Sequence, residues 1–157
     1  MKAIHSMIAA LGLAFVLPAP ADAGVNDPEV IIYRFPGVKD DGGAAHVGVA
    51  TVFHCTNFSG DTQTLRLVTR GPSGTLLSNI ATSNIHLATI TYATHPAAAN
   101  NVEVDLTTGS VGQGTTAIAA TSINIICTAE KIDAADAKPV GVSLRGIRFN
   151  PAPGSQE

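Results

Sequence analysis

Between Val30 and Phe149 the chain is a succession of short runs rich in Val, Ile, Leu and Thr, each stopped by Gly, Pro or Asn. This punctuation constrains the fold more than any other feature. The runs are Val30–Phe35, Val47–Cys55, Thr62–Thr69, Thr75–Ile80, Ile85–Thr94, Val102–Leu106, Thr116–Ala129 and Val140–Phe149. Within them apolar residues recur at every second position, the period of a strand with one buried face. In Val47–Cys55, for example, Val47, Val49, Thr51, Phe53 and Cys55 share a face. Turn signals at intervals of roughly 8–15 residues and no helical periodicity predict an antiparallel β-sandwich of about seven to nine short strands.

Two positions complicate the pattern. Pro36-Gly37 should stop the first strand, with a loop over Lys39–Ala45. In the last run the apolar residues are even-numbered up to Leu144 and odd-numbered at Ile147 and Phe149, so a bulge is expected at Gly146.

The first residues read as a processing signal. Lys2 is basic, Ile8–Leu17 is a short apolar run, and Ala21-Asp22-Ala23 supplies the small-residue pattern read by signal peptidase. The run is about half of the ~20 residues that a spanning helix needs. The expected organisation is a signal peptide over 1–23, one β-sandwich domain over 24–149 and a C-terminal coil over 150–157, with no transmembrane anchor after cleavage. The expected location is the periplasm or outside the cell.

Cys55 and Cys127 are the only cysteines, 72 positions apart. Cys55 continues the apolar face of Val49 and Phe53, and Cys127 that of Ile123 and Ile125. Both should point into the core, and an oxidising compartment would join them. If they come from facing sheets, the bond ties the sandwich across its middle. The spacing resembles the inter-sheet bridge of immunoglobulin-like domains. No tryptophan follows the first cysteine, however, and Ile125 stands where those domains place a tyrosine. The expectation is Ig-like in architecture only.

Several chemistries are poorly supported. With 9 basic and 12 acidic residues scattered along the chain, nothing is clustered to bind nucleic acid. Both methionines, Met1 and Met7, lie in the leader, and no histidine follows Cys127, so a blue-copper set is missing. His46 and His54 on one strand would lie roughly 26 Å apart. His54 and His86 could meet across strands, but two ligands are fewer than a stable site uses. No metal site and no cofactor are expected, and the histidines, His95 included, read as surface and turn residues.

Neither a G-x-S-x-G elbow nor an H-E-x-x-H helix occurs. The acids Asp40, Asp41, Asp105, Asp133 and Asp136 read as solvated loop carboxylates, and Asp40-Asp41-Gly42-Gly43 lacks the spacing of a calcium loop. Gly109–Gly114 has no following lysine and precedes a strand, so it is a hairpin connection and not a phosphate loop. Tyr92 and Phe58 are the remaining aromatics that could serve a sugar. Asn57-Phe58-Ser59 is a glycosylation sequon.

The stretches "VGVATVFHCTNFSG", "TSINIICTAEKID" and "SLRGIRFNPAPGSQE" together resemble small secreted bacterial β-sandwich proteins. Their strands end in C-T-N and C-T-A, and R-F-N-P lies near their C-terminus. The resemblance implies a fold and a compartment and brings no catalytic residues. The expected function is a non-enzymatic structural or interaction module with a protein partner. A small-molecule or carbohydrate-binding module is the alternative, its ligand-binding residues unknown, and an enzyme comes third.

Overall fold

The computed structural model describes residues 29–42, 44–100 and 102–149. The expected signal peptide and C-terminal coil lie outside the described residues. Ten strands form two facing five-stranded sheets. They are β1 (Val30–Asp40), β2 (Val49–Asn57), β3 (Gln63–Arg70), β4 (Leu76–Asn84), β5 (Thr89–Ala93), β6 (Val104–Asp105), β7 (Val111–Ala120), β8 (Ile125–Asp133), β9 (Val142–Leu144) and β10 (Ile147–Arg148). One sheet has the order β10-β1-β7-β3-β4, the other β6-β5-β2-β8-β9. Every pairing is antiparallel except β5 with β6. The protein is therefore an all-β sandwich, Ig-like in architecture, as the strand period requires.

The main core lies between the sheets. Ile32, Phe35, Leu65, Leu67 and Ile118 come from one side, and Phe53, Cys55, Tyr92, Ile125 and Cys127 from the other. Phe35 and Phe53 meet edge-to-face with ring centroids 5.6 Å apart, a favoured aromatic geometry across the interface. A smaller cluster covers the outer face of the second sheet. There Ala50, Val52, Ala93 and Ile132 are roofed by Ala97 and Ala134 from the flanking loops. This is why β2 is buried on both faces in its middle.

The two cysteines form a disulfide. Both sulfurs enter the core, as their phase predicts, but the bond does not cross between sheets. Cys55 and Cys127 are directly opposed on the neighbouring strands β2 and β8, with Cα atoms 4.2 Å apart. Phase determines which way a side chain points and leaves its sheet open. Ile123, placed on the same inward face from sequence, sits in the β7–β8 turn and is exposed.

Four element boundaries differ from the sequence expectation. First, β1 continues through Pro36-Gly37 to Asp40, with register shifts against β7 around Pro36, Val38 and Asp40. Gly37 takes a φ of 79°, open to glycine at little cost. β10 pairs only with Tyr33 and Arg34, so β1 has no neighbour on that side when it reaches the proline. Second, β4 runs on to Asn84, while Ile85, His86 and Leu87 form the β4–β5 loop. Third, β7 begins at Val111, inside the segment read as the Gly109–Gly114 hairpin connection, while Thr116–Ala129 is two strands, one of the two readings its sequence allows.

Fourth, the change of face at Gly146 is a change of sheet rather than a bulge. β9 pairs with β8 in one sheet, and β10 pairs with β1 in the other. A Cβ at Gly146 would lie 2.4 Å from the Phe35 ring, so only glycine lets the crossing backbone approach that closely. Splitting this run and Thr116–Ala129 turns the eight sequence runs into ten strands among the described residues.

Candidate functional site

The β1–β2, β5–β6 and β6–β7 loops meet at one end of the sandwich around a cavity of about 340 Å³. Its lining includes Asp40, His95, Asp105 and Thr107. Asp40 closes β1 and His95 follows β5 by two residues, so both are placed by strands of different sheets. Their side chains meet with Nδ1···Oδ2 at 2.7 Å, while Asp40 Oδ1 accepts the Gly42 N–H at 2.6 Å. The carboxylate is 1% exposed and the imidazole 9%.

A carboxylate on Nδ1 selects the tautomer in which Nδ1–H donates and Nε2 keeps its lone pair. Here Nε2 is sealed from solvent and has no hydrogen-bond partner among the described residues. Next to the pair, Thr51 Oγ1 donates to the Lys39 carbonyl at 2.7 Å, and Thr94 Oγ1 accepts the Thr51 N–H at 3.0 Å. Asp105 Oδ1 accepts the Thr107 N–H at 2.7 Å, which helps hold Thr107 at a φ of 48°. Apart from His95 Nε2, these polar groups thus bond to one another or to nearby backbone. An Asp–His pair is the orienting half of a general base, and here its Nε2 is closed off from solvent. The pair also fastens the β1–β2 loop to the β5–β6 loop.

This corrects two sequence expectations. Asp40 is a buried strand-end acid and not a solvated loop carboxylate, and His95 is not a surface histidine. Neither burial has a periodic signal. It arises because the segment after His95 folds back over Ala50 and Val52.

Of the other described histidines, His54 and His86 are engaged singly. His54 bonds Thr91 Oγ1 at 3.0 Å and lies 3.7 Å from Glu130, His86 accepts the Gly60 N–H at 3.1 Å, and His46 is exposed. Among the described residues no three His, Cys, Asp or Glu side chains converge as a metal set. Asp41, Asp133 and Asp136 accept backbone N–H groups in turns, the usual work of aspartate there.

Tyr92 is not a sugar platform. It is buried in the core with its hydroxyl on Thr82. Burial raises its pKa above the usual phenol value by disfavouring the phenolate, and the Thr82 bond acts in the opposite direction. Phe58 is exposed. The sequon asparagine, Asn57, is fully buried, and its Nδ2 donates to the carbonyls of Asp61 and Asn84. Its amide is therefore a structural clamp among the loops.

The sheet edges supply a second candidate. Edge strands present free backbone groups, and proteins blunt them by shortness, charge or proline. β6 and β10 have two residues each, ending in Asp105 and Arg148, and β9 has three. β4 is different. It is nine residues long, LLSNIATSN, without a charge or a proline, and among the described residues it pairs only with β3. Leu76, Asn79, Ala81 and Ser83 along it are exposed. The sequence run ends at Ile80, and the polar Ala81–Asn84 that follows hides the length of this edge.

No family model, curated protein or solved structure matches the chain.

Proposed function

We propose that the protein is an exported, non-enzymatic interaction module that engages a protein partner by strand addition at β4. The observation that carries this reading is the contrast among the four edges, three of them blunted and the fourth long and neutral. Backbone pairing would supply the affinity, and the side chains of β4 the selectivity. The alternative, a small-molecule module, rests on the cavity beside Asp105 and Thr107. Its size is at the low end for ligand pockets, roughly 300–1,000 Å³. Apart from His95 Nε2, the polar groups described around it are already bonded internally, and this favours the edge.

The test is titration of the chain from Gly24 with a blocked nine-residue Thr/Val peptide, followed through backbone amide resonances. Shifts are expected along β4 and β3, with β6, β9 and β10 unaffected. Saturating peptide that leaves β4 unmoved would refute strand addition.

Export rests on the leader and agrees with a disulfide-bonded domain. Intact-mass measurement of protein recovered outside the cytoplasm should show Gly24 as the N-terminus. A mass that retains Met1–Ala23 would overturn the proposed processing.

A further inference from the structure

We infer that the strand received by β4 is β4 of a second copy, so that two sandwiches join antiparallel into one continuous sheet. The inference rests on the strand-addition reading and adds the partner's identity. Three observations favour a second copy.

The first is charge. A strand paired with itself about a two-fold axis brings its own side chains face to face, and like charges opposite one another are destabilising. Leu76–Asn84 carries no charge to repel. The neighbouring cation, Arg66 on β3, is held by the Glu29 carboxylate and also bonds Asn79 Oδ1 at 3.2 Å. The other β3 cation, Arg70, lies opposite Leu76 at the end of the strand, where its guanidinium donates to the Gly74 carbonyl.

The second is side-chain complementarity. With the axis at Ile80, the exposed Asn79 lies opposite the exposed Ala81 of the second copy and Leu77 opposite its Ser83. Each pair sets a small residue against a larger one, with no like charges opposed. The third is length. The other edges offer two or three residues, whereas β4 offers nine to a partner of the same length. At ~3.4 Å per residue the shared ladder would run about 30 Å.

The contact is confined to a ladder and its flanking side chains. It belongs with small interfaces, which associate weakly and in a concentration-dependent manner.

Sedimentation of the chain from Gly24 over a wide concentration range tests the inference. The wild type is expected to shift from monomer to dimer as concentration rises. Ala81→Glu puts a carboxylate opposite Arg66, a neighbour that suits the fold. It also sets two like charges diagonally across the axis, ~7–8 Å apart. It should raise the dimer dissociation constant at least about tenfold, a change of ~1.4 kcal/mol, with an unchanged thermal melt. Val142→Glu on β9 should leave the dimer intact.

A wild type that stays monomeric, or a dimer broken by Val142→Glu and not by Ala81→Glu, would overturn self-pairing. If a monomeric wild type still shows peptide shifts at β4, strand addition stands and a foreign strand is the occupant. If the peptide also fails, both readings fall.

Discussion

Cys55→Ser is expected to destabilise the domain by about 2–5 kcal/mol, the range for native bridges in small secreted domains. The bridge closes a loop of 72 residues. In the chain-entropy model such a loop is worth ~4 kcal/mol, because the cross-link restricts the unfolded ensemble. Cys55 is also fully buried, beside Phe53 and Ile125 in the core, so serine would place a hydroxyl there with no assured partner. Cys127→Ser should cost about the same. The double mutant should cost little more than either, since one bond is removed. Denaturant melts of the three variants decide the matter. Losses that simply add would show two independent buried thiols and refute the bridge.

The second large effect is expected at Asn57. Its side chain makes three hydrogen bonds at the end of the sandwich opposite the cavity. Oδ1 accepts the Ser59 N–H at 2.8 Å, and Nδ2 donates to Asp61 O and Asn84 O, each at 2.7 Å. Asn84 in turn donates to the Cys55 carbonyl at 3.2 Å. Asn57→Ala removes the clamp and leaves the buried Asn84 carbonyl without this donor, a loss of about 2–4 kcal/mol. Asn57→Asp should be at least as damaging, because it replaces the donor with a buried carboxylate facing two carbonyl oxygens. Chemical denaturation of both variants is the measurement. A loss below ~1 kcal/mol for Asn57→Ala would mean that the loops are fixed by other contacts.

The sequence and the structure agree where local pattern alone decides. The two-residue period identifies the sandwich, and the phase of Cys55 and Cys127 turns both sulfurs inward. Pattern fails where a non-local contact decides. Gly146 shows the difference clearly. The parity change from Leu144 to Ile147 is plain in the sequence, but a bulge and a crossing between sheets produce the same parity. The two are separated only by the partners, β8 for one segment and β1 for the next.

Asp40 and His95 are a harder case. They are 55 residues apart, each beside turn residues that suggest solvent. Their burial depends on a loop packing over Ala50 and Val52, which leaves no mark on periodicity. The edge at β4 was hidden for a smaller reason. Ala81-Thr82-Ser83-Asn84 is polar enough to read as a turn, yet all four residues pair in register with β3.

The position of the disulfide has a mechanical consequence. It joins β2 to β8, and the whole of β3 through β7 lies between the two cysteines in the chain. If the molecule is stretched between its termini, tension runs along β1 and β2, through the sulfur–sulfur bond, and out along β8 to β10. The β4 edge lies in the bypassed segment, so tension on the termini does not extend the strand that would hold a partner while the covalent bond lasts.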